Sequence, residues 1–209
     1  MPTNPDSFFK KVLKDLRPLF KENGFRASSQ NFILESVEGW AIINFQKSRW
    51  SEPSEKTFYV NVAITSKRWM AFLDEPTDKA PAYFSCIWRG RAEQFGPDRS
   101  IKQWTIRDET SSQETVKYLQ KLLGDYVIPA MRPMMSEAGL LESWARFTNL
   151  NYPALKAKSV LMAADDNLRD FRQTVQSLHQ TFGTGVVARD LQRHMEQLQR
   201  KFPSIATDI

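Results

Sequence analysis

The spacing of apolar residues changes along this chain, and that change restricts the fold more than any single residue does. From Pro5 to Asn23, Phe8, Val12, Leu16 and Leu19, joined by Phe9, Leu13 and Phe20, recur three and four apart, which is one stripe of an amphipathic helix. Asn4 before Pro5 is a start signal and Gly24 a stop signal. Pro18, lacking a donor, is expected to bend or shorten the last turn. The spacing then becomes two. Asn31 to Ser36, Trp40 to Lys47 and Thr57 to Thr65 are rich in β-branched and aromatic residues and are read as strands. Glu38-Gly39 turns the first pair, and Arg49 to Lys56 is a polar loop. Residues 67 to 81 are a loop or short helix over a sheet end. Two further strands are expected at Ala82 to Trp88 and Ile101 to Ile106.

After Asp108 the spacing returns to that of helices. The stripes are Val116, Leu119, Leu122, Leu123 and Val127; then Leu155, Val160 and Leu161; then Leu168, Phe171, Val175, Leu178 and Phe182; then Val187, Leu191, Met195 and Leu198. Breaks are expected at Gly124, Pro129, Pro133, Gly139, Pro153, Asp165-Asp166 and Gly183. Each stripe must be covered, so the expected class is α+β: an N-terminal helix, an antiparallel sheet of about five strands and a C-terminal helical layer. A single domain over 1–209 is expected, with a sheet region to about 110 and a helical region over about 111–202. The helical tail after about 148 is the alternative second unit.

Composition excludes several function classes. The one cysteine, Cys86, has no partner within the chain, which points to a reducing, cytoplasmic setting. No apolar run approaches the ~20 residues of a membrane-spanning helix, and MPTNPDSFFKK has no apolar leader segment. The net charge of +5 divides evenly, +3 over residues 1–109 and +2 over 110–209, so it reads as diffuse rather than as a nucleic-acid-binding stripe.

Several strings, taken with the order of elements, resemble the Domain of Unknown Function 4304 family, whose members are mostly bacterial and uncharacterised. They are Asn23-Gly24-Phe25 after the first helix, Ile43-Asn44-Phe45-Gln46-Lys47-Ser48, Phe58-Tyr59-Val60-Asn61-Val62-Ala63-Ile64, Trp88-Arg89-Gly90-Arg91 and the strand around Trp104, within about residues 8 to 145. The chain departs from the family pattern at Gln103-Trp104, where paired tryptophans are usual, and at Ala63, where a glycine often follows. The resemblance implies an α+β domain and offers no catalytic residue to carry over.

The candidate chemical groups favour structural roles. Cys86 would need His179 or His194 as a base, but a thiol in an alternating apolar strand is a small core residue. The histidines, fifteen apart, lack the i, i+4 spacing of a metal pair, and His194 reads as a solvated helix flank. Asp165, Asp166 and Asp170 fit a helix start better than a cation site. Gly183-Thr184-Gly185 mimics half a dinucleotide fingerprint, but a helix precedes it where a strand is needed, so it reads as a helix stop. No metal and no cofactor are expected.

Alternation supplies the remaining candidate. Phe58, Val60, Val62 and Ile64, with Ala41, Ile43 and Phe45, share the core face. The other face then carries Trp40, Ile42, Asn44 and Gln46 beside Tyr59, Asn61, Ala63 and Thr65. Amides are depleted from strand centres, so they either bond across strands or line a recognition surface. The expected binding set is Asn44, Gln46, Tyr59 and Asn61, with Arg89, Arg91 and Trp104 near the rim. The favoured function is a non-enzymatic binding or accessory module with a protein or small-molecule partner. One alternative is a nucleic-acid-associated protein using the pairs Arg49-Trp50, Arg68-Trp69 and Trp88-Arg89 and the Lys102/Trp104 neighbours; another is an enzyme whose site assembles only in space.

Overall fold

The computed structural model describes residues 5–146 and 150–208; the cap expected at Asn4 lies outside them. In chain order the elements are α1 (Pro5–Glu22), β1 (Arg26–Ser28), β2 (Asn31–Glu35), β3 (Gly39–Lys47), β4 (Lys56–Ser66), α2 (Lys67–Phe72), β5 (Trp88–Arg91), β6 (Trp104–Ile106), α3 (Glu109–Lys121), α4 (Ile128–Met131), α5 (Glu137–Ala145), α6 (Tyr152–Ala164), α7 (Leu168–Phe182) and α8 (Ala188–Lys201). The class is α+β, with an antiparallel sheet of six strands among the described residues where about five were expected. Contacts divide the chain into two compact units, Met1–Thr65 with Ala80–Ser136, and Ser66–Lys79 with Glu137–Ile209. The second unit thus takes in Ser66–Lys79 as well as the chain from Glu137 on, and α3 and α4 belong with the sheet.

In the first unit α1 buries Phe8, Phe9, Val12, Leu13, Leu16 and Phe20 along one side. Pro18 stays exposed and α1 continues to Glu22, so the expected shortening does not occur; one missing donor near the solvated end is outweighed by the buried stripe. Gly24, at φ +83°, ends the helix as expected, with Phe25 N–H donating to the Phe20 carbonyl at 2.9 Å. The sheet order is β1-β2-β3-β4-β5, and β6 also pairs with β4. Its core face carries an aromatic cluster: Phe20 stacks on Phe32 at 3.7 Å, and Phe45 lies within 5.7 to 6.3 Å of Phe32, Phe58 and Phe20.

Ala82 to Trp88 does not form the expected strand. Tyr83–Ser85 is a 3₁₀ turn closed by Ser85 N–H on the Ala82 carbonyl at 2.9 Å, and only Trp88–Arg91 runs beside β4. The turn crosses β3 instead, and the Tyr83 hydroxyl donates to Gln46 Oε1 at 3.1 Å. Nor do Gly124 and Pro129 break the helical run. α3 passes into a π-helical stretch, Leu122–Val127, and on into α4. The wider ring immediately precedes Pro129, which cannot donate, while Leu119, Leu122, Leu123, Val127 and Ile128 stay buried.

Gly39 opens β3 where backbone comes close: a Cβ there would stand 2.7 Å from the Thr65 carbonyl oxygen and 3.1 Å from that of Met135. Neither oxygen belongs to a flexible side chain, so Gly39→Ala is expected to cost about 1–3 kcal/mol through forced backbone shifts, read as a lower urea midpoint.

In the second unit Ser66 caps α2, accepting from Arg68 and Trp69 N–H, and its hydroxyl donates to buried Glu137 at 2.8 Å. Arg68 bridges Glu137 at 3.0 Å and Asp165 at 2.8 Å. Gln197 and Lys201 of α8 donate to the Phe72 carbonyl, closing the exposed end of α2. Asn167 caps α7 by accepting from Asp170 N–H, so this acidic segment starts a helix, and Gly183 ends α7. α5 has no counterpart among the four stripes legible in the sequence.

Candidate functional site

Antiparallel pairing puts opposed residues on the same side of the sheet. Asn31 faces Asn44, Asn61 faces Arg91, and Ala63 faces Arg89. The side opposite the aromatic cluster therefore carries Asn31, Asn44, Gln46, Tyr59, Asn61, Arg89 and Arg91. Its amides form a row. Asn61 Nδ2 donates to Asn44 Oδ1 and to Gln46 Oε1, both at 3.0 Å, and Asn44 Nδ2 donates to Asn31 Oδ1 at 2.7 Å. Arg91 lies over the Tyr59 ring, its guanidinium carbon 4.3 Å from the centroid.

Exposure along this row is graded. Trp40, Ile42 and Ala63 at one end are buried. At the other end Gln46 is exposed and Asn44 and Tyr59 are half-buried, while on the edge strand β5 Arg91, across from Asn61, is half-buried and Arg89, across from Ala63, is exposed. Asn61 is only 6% exposed, so it is a network member beneath the surface rather than a free amide. Asn61→Ala is accordingly expected to cost about 1–3 kcal/mol by removing the donor to Asn44 Oδ1 beneath the surface, whereas Gln46→Ala leaves the melting temperature nearly unchanged.

Trp104 is not on this rim. It pairs with Phe58, hence shares the core face, stacks on Phe58 at 5.9 Å and is 6% exposed. Asn31, Tyr83 and the exposed Phe84 join the site without having stood out in the sequence. Asn31 is missed because the turn falls at Val37-Glu38, one residue before the expected Glu38-Gly39, and it is this register that sets Asn31 opposite Asn44. Of the tryptophans in the basic–aromatic neighbour pairs, Trp50 is exposed, Trp88 half-buried, and Trp69 and Trp104 buried, so the pairs do not make one stacking surface.

The other candidates resolve into structure. Cys86 is buried, its Sγ 3.8 Å from the Ala82 carbonyl, and burial pushes the thiol up to about 12 against a smaller opposing pull from Arg89. His194 is not a solvated flank: it is 2% exposed, with Nε2 2.9 Å from Ser159 Oγ and the rings of Phe72 and Trp69 against it. Ser159 is itself fully buried, so the pair is closed to substrate. Among the described residues no group of three His, Cys, Asp or Glu side chains is placed to hold a metal, and no helix is long and apolar enough to cross a membrane.

A sheet covered on one face by α1 and α3, with an amide row on the other, defines a class of α+β domain with a polar sheet face. The chain belongs to the family described as a domain of unknown function (DUF4304), which matches residues 16–132. That span starts within α1 and ends just beyond α4, so α5 to α8 lie outside it. No curated protein and no solved structure matches the chain.

Proposed function

We propose that this protein is a non-enzymatic binding module whose recognition surface is the open end of the amide row. The observation that carries the reading is Arg91: its Nη1 is buried without an acceptor among the described residues, beside an amide row whose outward groups, Gln46 Nε2 and Asn31 Nδ2, are donors that meet no acceptor among those residues. Arg89 donates only to the Phe84 carbonyl, at 3.0 Å, and neither arginine meets a carboxylate among the described residues. Donors that outnumber acceptors suit a ligand with a negative group beside carbonyl oxygens. Gln46, Tyr59, Arg89 and Arg91 would touch it, Asn44 and Asn61 would hold Gln46 in place, and Tyr83 with Phe84 would form one wall.

Titration of ¹⁵N-labelled protein with short acetylated acidic peptides tests this. The side-chain amide signals of Gln46, Asn44 and Asn31 should shift together, and Arg91→Ala should abolish the response while leaving the fold intact. Shifts confined to other surfaces, or an undiminished response in Arg91→Ala, would overturn the reading.

A further inference from the structure

The exposed side of α1 carries Lys10, Lys14, Arg17 and Lys21, spaced four, three and four apart, and all four are exposed. At 100° per residue they fall within about 60° of arc and span about 16 Å along the axis, one cation every ~5 Å. This is the clustered stripe that an even split of net charge concealed. None of the four makes an ion pair among the described residues. The nearest acid on that side of the helix, Asp6, is already held by Lys47 at 2.7 Å and Lys56 at 3.5 Å.

The stripe borders concave surface. Lys14 and Arg17 line both a cavity of about 510 Å³, which reaches Lys21, and one of about 370 Å³, which reaches Lys10 and Lys47. Among the described residues no carboxylate lines either cavity. Three residues beyond Lys47, and so within about 11 Å of it along the chain, Trp50 stands 81% exposed next to exposed Arg49.

We propose that this groove binds the backbone of a single-stranded nucleic acid, with Trp50 stacking a base at the Lys47 end. A row of four unpaired cations exceeds what one phosphate or carboxylate can neutralise, so the matching ligand is a polymer of regularly spaced negative charges. Concavity favours a strand lying in the groove over a flat headgroup surface. An exposed indole beside the row favours unpaired bases, whose faces are free to stack. The site is distinct from the amide row and does not depend on it.

Fluorescence anisotropy of a labelled thymidine oligomer with the full chain tests the proposal. Logarithmic affinity should fall with logarithmic salt at a slope of about −3, the value for four phosphate contacts to a single strand. Lys14→Glu/Arg17→Glu should weaken binding at least tenfold at low salt, while Lys117→Glu/Arg200→Glu, the same change in net charge at exposed positions elsewhere, should change it less than about twofold. Trp50→Ala should weaken binding without altering the salt slope. If charge reversal disturbs the circular dichroism, Lys14→Gln/Arg17→Gln gives the same comparison in milder form. No binding at low salt, equal losses in the control pair, or tighter binding to a duplex of the same length or to anionic vesicles would overturn the assignment.

Discussion

Phe45→Ala is expected to lower stability by roughly 3–5 kcal/mol, a large share of the ~5–15 kcal/mol that holds a domain folded. Phe45 is fully buried in the C-terminal half of β3 and touches three aromatic rings, Phe20 from α1, Phe32 from β2 and Phe58 from β4. Removing its ring leaves a cavity that three separate elements would have to move to fill, and each is fixed by its own contacts, Phe20 by stacking on Phe32 and Phe58 by Phe9 and Trp104. Urea denaturation should show a lower midpoint with an unchanged slope. A loss below about 1 kcal/mol would mean that the layer between α1 and the sheet is not packed as described.

The second large effect is on acid stability and rests on His194. Ser159 Oγ donates to the Lys156 carbonyl at 2.7 Å, so His194 Nε2 carries the hydrogen in the bond to that hydroxyl and Nδ1 is left bare, buried and without a partner. Protonating Nδ1 would bury a charged donor with nothing to receive it. Burial, reinforced by the Lys156 charge and opposed by Asp190, holds the imidazole down at about 3. In the unfolded chain a histidine takes its proton near pH 6.5. Unfolding therefore consumes a proton between the two values. The stability is present in full above pH 6.5 and is lost as pH falls toward 3, by about 1.4 kcal/mol per unit and roughly 5 kcal/mol over the interval. The carboxylates held below their ordinary values by partners, such as Asp6 beside Lys47 and Asp190 beside Lys156, add losses of the same sign at lower pH. Glu93, raised by burial, works in the opposite sense. His194→Gln removes only the histidine's part. Its melting temperature should be flatter between pH 6.5 and 4.5 than that of the wild-type protein, and parallel profiles would refute the assignment.

Alternation makes the sheet legible in the sequence. Phe58, Val60, Val62 and Ile64 fall on one face because a strand has a period of two, and the same arithmetic sets Asn44, Gln46, Tyr59 and Asn61 on the other. The basic stripe is equally legible, since Lys10, Lys14, Arg17 and Lys21 repeat as the buried stripe does, but charge summed over half the chain hides a pattern that turns with the helix. Trp104 is misplaced by pattern alone because a three-residue strand carries too little of it to set a face, and only pairing with Phe58 fixes its side.

Periodicity, capping and the Gly24 stop determined from sequence alone that a helix precedes an antiparallel sheet and that helices follow, because each depends on residues within a turn or two of one another. Tertiary structure alone decided that His194 is buried, that Asn61 lies beneath its amide row, and that α3 and α4 join the sheet unit. Burial and hydrogen-bond partners come from segments tens of residues away: Ser159 lies thirty-five positions before His194, and Gln46 fifteen before Asn61. Local pattern shows which side of an element turns inward; what it meets there depends on how distant segments pack.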